Sequence, residues 1–384
     1  MLTGAGGRFL LLPGSEIDAL CTGDPDDERR RKLSDLGFLL PTDGEEPRSP
    51  VPPGEASRHV LLLRSPAKEP GAPEANGAVM ELDTACGVFD RICESRSGFT
   101  HVELRGGDPL DPLLVRRLVD QMVSRRASGN GRLSLGLRTS LSGMTPELAD
   151  ALVDARAVVT VTLDGPPTGE AAERIRSLHA RYSARGIAPS LAFVRVVLPL
   201  SRASIAAGAE RLVAAAVQAG ITFLELAPAG GDVTAEEHFE LYRAAVRRIL
   251  DVNARGTLLI EMPLALHVET LVAHADPAKA RPAASPVTTI WGPDGRAVAG
   301  ETASPAAGCG GCAYDPYCGA GLLREALDDA SERRWGTPFC RTSTGMFDTV
   351  FELLASPEGA RLRRVFKTWM DAHERVARRL GAAG

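Results

Sequence analysis

Apolar and polar positions follow two different periods along the chain, and from residue 59 the period switches regularly between them. Short, nearly continuous apolar runs at Val60–Leu63, Thr100–Leu104, Arg132–Arg138, Val158–Leu163, Leu191–Leu198 and Thr222–Leu226 predict buried strands. Helical periodicity between and after them predicts helices over Glu81–Glu94, Pro112–Ala127, Thr145–Ala155, Gly169–Arg185, Ser204–Ala219 and Ala235–Ala254. Local chemistry marks several ends. Thr145 is an N-cap followed by Pro146, Thr234 and Glu237 form a capping box, and Gly186, Gly220 and Gly256 close their helices. Six βα units in strict alternation require a parallel sheet with helices outside. Six is two short of a closed eightfold barrel. The expected architecture is therefore α/β, an open partial (β/α)6 barrel over residues 59–265.

The flanks read differently. Arg8–Leu12 and Phe38–Leu40 predict short strands, Ser15–Leu20 a helical turn and Asp26–Leu36 a helix. Together they make a small α+β module over residues 1–50, with peptide recognition as its expected role. Pro41–Ser57 is rich in Pro, Gly and Glu and reads as linker, leaving 51–58 as the join to the barrel. Residues 266–345 form a cysteine-bearing extension and 346–384 the C-terminal helices. In the last of these, Leu362, Val365, Phe366, Trp369, His373, Val376 and Leu380 mark one amphipathic face, expected to dock on the core.

Composition excludes some function classes. The 384 residues are 44% hydrophobic and 24% charged, enough to bury a sizeable core. No uncharged apolar run reaches the roughly 18 residues of a membrane span. Leu212–Leu224 is broken by Gln218, and Ile187–Val194 ends at Arg195. The segment MLTGAGGRFLLLPGSE lacks a signal-peptide cleavage region, so a soluble cytoplasmic protein without a membrane partner is expected. A net charge of -5 argues against a nucleic-acid partner, although residues 361–384 carry a local excess of basic groups. The histidines form no HxxxH or HExxH pattern and read as core or surface residues.

The seven cysteines carry the strongest chemical signal. Cys309-x2-Cys312-x5-Cys318 sits in GCGGCAYDPYCGAG, and Cys340 follows in TPFC. Four thiolates suit a tetrahedral zinc ion or an Fe–S cluster equally by ligand count. The flanking glycines let backbone wrap a compact inorganic centre. In such a barrel, working residues sit where strands end. There the chain places Gly106-Gly107-Asp108-Pro109, Arg138-Thr139-Ser140, Asp164-Gly165-Pro166 and, within the fifth strand, Arg195. Asp164 suits ribose hydroxyls or a helix cap, and Arg195 in a buried strand requires an anionic partner, either a cofactor carboxylate or an internal Asp or Glu.

The partial barrel, GGDPL after the second strand, TLDGP after the fourth, and CxxC-x5-C…C beyond it together resemble radical SAM/SPASM proteins. GGCAYDPYCGA, the downstream FC, FDTVFELL and LLPGSEIDAL…LGFLL are more particular. They resemble the His-Xaa-Ser system radical SAM maturases, which act on ribosomally made peptides (RiPP maturation), over roughly residues 8–356. The resemblance implies a C-terminal SPASM-like extension in which Cys309, Cys312, Cys318 and Cys340 hold an auxiliary [4Fe-4S] cluster. It also implies that Gly106, Gly107 and Asp108 match the segment that holds the methionyl amine of S-adenosylmethionine. Thr139, Asp164 and Arg195 complete the candidate cofactor-binding set.

One family feature is missing. The defining Cys-x3-Cys-x2-Cys belongs just after the first strand, where HVLLLR runs into SPAKEPGAPEANG without a cysteine. The nearest imitation is Cys86-x3-Asp90-x2-Cys93. A cluster loop there would leave only Glu94–Phe99 before the next strand, too short for the crossover helix that parallel pairing requires. Leu82, Cys86, Phe89 and Cys93 instead fall on one face of a helix, so both cysteines are expected in its core. The primary expectation is a degenerate partner, a pseudoenzyme that binds a precursor peptide or an active radical SAM maturase subunit and keeps one auxiliary [4Fe-4S] cluster. An active maturase with an unusual cluster ligand set, and a zinc-stabilised peptide-binding module, are the alternatives.

Overall fold

A computed structural model describes residues 2–3, 9–10, 56–64, 79–94, 99–106, 110–128, 132–189, 192–227, 233–265, 268, 287–298, 338–362, 364–365 and 367. In chain order the elements are β1 (Leu2–Thr3), β2 (Phe9–Leu10), β3 (Ala56–Leu62), α1 (Leu82–Glu94), β4 (Phe99–Arg105), α2 (Pro112–Ala127), β5 (Arg132–Thr139), α3 (Pro146–Asp154) and β6 (Val158–Thr162). They continue with α4 (Gly169–Ala184), β7 (Val194–Pro199), α5 (Arg202–Gln218), β8 (Phe223–Ala227), α6 (Ala235–Ala254), β9 (Ile260–Glu261), β10 (Val287–Trp291), β11 (Ala297–Val298) and α7 (Pro338–Ala355).

The elements fall into two compact units. The first is formed chiefly by Gly54–Met262 and Ser285–Thr302. Its sheet runs β11-β10-β3-β4-β5-β6-β7-β8-β9. Eight neighbouring strands are parallel and β11 closes one edge antiparallel to β10. The six expected βα units are present in the expected order. The structure adds β9 at one edge and β10 at the other. Val287–Trp291, which the sequence reading assigns to the extension, thus pairs with the first barrel strand, and Ala297–Val298 pairs in turn with that segment. A cation–π contact holds that addition in place, with the Arg91 guanidinium of α1 5.0 Å from the Trp291 ring centre. Arg91 also donates to the Gly295 carbonyl at 2.7 Å.

The helices form where the chain predisposes them to. Asp111 caps α2 by accepting from Leu113 and Leu114 N–H, with Pro112 at the first helical position. Thr145 accepts from Leu148 N–H at the start of α3, and Thr234 with Glu237 forms the reciprocal capping box of α6. The outer face of the sheet and the helices bury Leu104, Val115, Leu118, Val159, Val161, Leu212 and Ile249 in one apolar layer. His59, His179 and His238 are buried, as core histidines. No helix among the described residues is long and apolar enough to cross a membrane.

The second unit draws on Met1–Pro53, Pro263–Ala284 and Ala303–Phe366. It contains the antiparallel pair β1–β2, in register Leu2↔Leu10 and Thr3↔Phe9. It also contains α7, whose Met346, Phe347, Val350 and Leu353 are buried. Of the elements expected over residues 1–50, only the strand around Phe9–Leu10 falls among the described residues; the expected helices and the strand at Phe38–Leu40 lie outside them.

Candidate functional site

The carboxyl edge of the sheet begins at the connection from β3 to α1. Leu63 N–H donates to the Arg105 carbonyl at 2.7 Å, and Met80 N–H donates to the Leu63 carbonyl at 2.8 Å. Arg64 and Val79 form an antiparallel bridge. Backbone pairing therefore closes both ends of the 65–78 connection at its base. Gly106 follows β4 with φ +76°, and a Cβ there would stand 2.8 Å from the Arg64 carbonyl oxygen. Only glycine combines that backbone with that close approach. Its fit is to the neighbouring strand's main chain. Gly107 and Asp108 lie outside the described residues.

The Cys86-x3-Asp90-x2-Cys93 imitation lies on α1, as the crossover argument requires. Gln121 of α2 donates to Asp90 Oδ1 at 2.7 Å, and Arg125 of α2 pairs with the same carboxylate. The buried face of α1 is Ala85, Val88, Phe89 and Ile92. Cys86 and Cys93 are half-buried beside it and Leu82 is exposed, which corrects the expectation that both cysteines sit in the core. The apolar stripe Ala85, Val88, Phe89 and Ile92 takes the core-facing side, which leaves the cysteines at its margin. Burial pushes both thiols up, Cys93 to about 11, so they are neutral thiols near pH 7.

The remaining candidates separate onto two faces. Thr139 is buried at the end of β5, and its hydroxyl accepts from Leu141 N–H at 2.9 Å. The register Thr139↔Val161 places it on the helix-facing side. Arg195 lies on the opposite, inner face in the row Arg138↔Thr160↔Arg195. Its Nε donates to the Ala192 carbonyl at 3.2 Å. Asp164 is exposed beyond β6 and accepts from the Ser201 hydroxyl at 2.6 Å. The structure thus places Thr139 and Arg195 on opposite faces of one sheet. Cys309, Cys312 and Cys318 lie outside the described residues, and Cys340 is on α7, its side chain outside them too. Among the described residues no group of three or more His, Cys, Asp or Glu is placed to hold a metal ion.

The inner face also carries a network that sequence reading did not anticipate. Arg58 pairs with Glu103, and Arg105 Nε donates to Glu103 Oε1 at 2.6 Å. All three side chains are largely buried. Burial alone would raise the Glu103 carboxyl, but the Arg105 and Arg58 guanidiniums overrule it and hold it down at about 2. The signal was the alternation in FTHVELR, where polar residues 101, 103 and 105 interleave with Val102 and Leu104. A helix-covered parallel strand is ordinarily apolar on both faces. Gly136 makes room for the network, since a Cβ there would stand 3.1 Å from His101 Nε2 and 3.4 Å from Glu103 Cγ.

No sequence-family model matches the chain, and no curated protein matches it significantly. Solved structures do. The polyhistidine-tagged form of anSMEcpe, an anaerobic sulfatase-maturating radical SAM enzyme, with bound AdoMet superposes at a TM-score of 0.60 and 12% identity, covering 83% of this chain and 99% of that one. Native anSMEcpe with bound AdoMet and Cp18Cys peptide superposes at 0.58 and 11% identity, over 78% and 98%. The form with Kp18Cys peptide gives 0.57 over the same shares, again at 11% identity. At these identities the likeness is one of fold, and this chain carries the barrel fold of that radical SAM enzyme.

Proposed function

We propose that this chain is a degenerate radical SAM/SPASM-type protein of ribosomal peptide maturation. It binds a precursor peptide, alone or beside a catalytic maturase, does not cleave S-adenosylmethionine, and retains one auxiliary [4Fe-4S] cluster. One observation carries the reading. The connection after β3 is closed by Arg64↔Val79 and contains no soft iron ligand. The nearest thiols are neutral and ride on α1, with the intervening Asp90 already paired to Arg125. A cluster that chelates S-adenosylmethionine does not fit this donor set. Peptide-bound forms among the structural neighbours support the peptide part of the reading. Gly106, Gly107, Asp108, Asp164 and Arg195 then serve the rim of a binding cleft, with Thr139 bracing the β5 turn.

Cys309, Cys312, Cys318 and Cys340 are a donor set suited to iron and would hold the auxiliary cluster. When bound, that cluster supplies a thiolate-held redox centre outside the barrel strands. The test is iron and sulfide per chain after anaerobic reconstitution. About four iron atoms, lost on Cys312→Ala, is the expected result for one [4Fe-4S] centre. About eight would indicate a second, catalytic cluster and overturn the degenerate reading; zinc alone would overturn the Fe–S assignment.

A further inference from the structure

His59 of β3 is 8% exposed and lies on the helix-facing side, level with Val102 of β4 and Thr289 of β10. Its Nδ1 accepts from the Trp291 Nε1–H at 3.4 Å, with the two rings tilted and their centroids 6.4 Å apart. Accepting through Nδ1 leaves the proton of the neutral imidazole on Nε2, and that buried nitrogen has no hydrogen-bond partner. Trp291 also carries the Arg91 guanidinium over its ring, so the charge nearest this contact is already positive. Among the described residues no carboxylate pairs with His59. Asp90 of α1 pairs with Arg125 of α2, while Glu81, Asp83 and Glu94 at the ends of α1 are exposed. Asp294, in the β10–β11 turn, accepts from the Arg296 N–H. Glu103 of β4 is on the inner face with Arg58 and Arg105, and Cys86 and Cys93 are neutral thiols near pH 7. Burial accordingly pushes the His59 imidazole below its ordinary value of 6.5.

We propose that His59 makes the β10–β11 hairpin a proton-sensitive latch, shut against β3 at neutral pH and released as the imidazole takes up a proton. An imidazolium has two N–H donors and no acceptor, so protonation sets donor against donor at Trp291. It also leaves a buried charge with nothing to bond at Nε2. Both costs vanish when Trp291 lifts away and water reaches the ring. β10 is the strand placed to give way. It is held on one side by β3 and backed on the other only by Ala297–Val298, whereas β3 and β4 each have long parallel neighbours on both sides. Because the closed form resists the proton, closure is complete above about pH 7.5 and is lost as pH falls through 6.5. Among the described residues, this hairpin is the barrel's last strand pairing before Cys309 in the chain. The latch requires neither a cluster nor a bound peptide, so it stands apart from the functional reading above.

Amide hydrogen exchange of the full chain at about pH 7.5 and about pH 5, read by mass spectrometry and corrected for intrinsic rates, tests this. Opening of Val287–Trp291 should rise about five- to thirtyfold over that range, the upper figure being the linkage ceiling for an imidazole that titrates at 6.5 once open. Helix α1 and strands β4, β5 and β6 should keep their protection. His59→Gln retains an acceptor for Trp291 but cannot be charged, and should flatten the pH response of β10. His179→Gln, at a second buried histidine on α4, should leave that response intact. In the parent chain, spectra of carbon-13-labelled histidine should show the His59 ring still neutral at pH 6.5 while β10 is protected. Unchanged opening of β10 at pH 5, a response that survives His59→Gln, or protection lost evenly across the sheet overturns the latch. A His59 ring that titrates at or above pH 6.5 with β10 closed overturns it too, and that reading needs no variant to fold.

Discussion

Glu103→Gln tests whether the inner face is organised by charge. The amide keeps the size of the acid and resembles its protonated form, so the variant isolates the ionised carboxylate between Arg58 and Arg105. The folded carboxyl is held at about 2, against an ordinary value of 4.5. At 1.36 kcal/mol per unit, that difference contributes about 3 kcal/mol at pH 7. Because the folded value is depressed, the contribution is complete above about pH 5 and fades as pH falls toward 2. At pH 3 about 1.4 kcal/mol remains on the same linkage. Trp335→Phe and Trp369→Phe would leave Trp291 of β10 as the sole tryptophan, reporting on the barrel during urea unfolding. The stability gap between the parent chain and its Glu103→Gln variant should shrink by somewhat more than half, about 2.4-fold, from pH 7 to pH 3. A gap of the same size at both pH values would refute the reasoning, since shape alone would then account for it.

Three further expectations follow from local geometry. Gly106→Ala forces a Cβ against the Arg64 carbonyl at positive φ and should cost about 1–3 kcal/mol, read as a lowered urea midpoint. Cys86 and Cys93 should react slowly with iodoacetamide at pH 7.5, with Cys93 accelerating only above about pH 10; fast labelling of Cys93 at neutral pH would contradict its desolvated setting. Arg91→Ala removes the contacts to Trp291 and Gly295, and should cost about 1–2 kcal/mol and shift Trp291 emission to the red as β10 loosens.

How much of this was legible depended on whether the signal was local. The helices Pro112–Ala127 and Ala235–Ala254 match their expected bounds because Asp111-Pro112 and the Thr234–Glu237 pair are short-range chemistry. β9 is two residues long and has too little pattern to read. β10 was missed for another reason. Its partner β3 lies more than 220 residues earlier, so no local period announces the pairing. The same division holds at the site. That Cys86 and Cys93 belong to a helix followed from the length of chain needed for a crossover. Which of its two overlapping apolar stripes is buried was settled only by packing, which chose Ala85, Val88, Phe89 and Ile92 and left Leu82 exposed. Arg195 drew attention as a charge in a strand, but the row it shares with Arg138 and Thr160 exists only once the strands are in register.

The central claim is that the barrel has lost the cluster that cleaves S-adenosylmethionine, and one assay addresses it directly. The anaerobically reconstituted chain, with dithionite and S-adenosylmethionine, should form no 5′-deoxyadenosine and no methionine above a protein-free control. Accumulation of both in equal amounts, above that control, would contradict the claim and place a catalytic cluster where the connection after β3 supplies no thiolate.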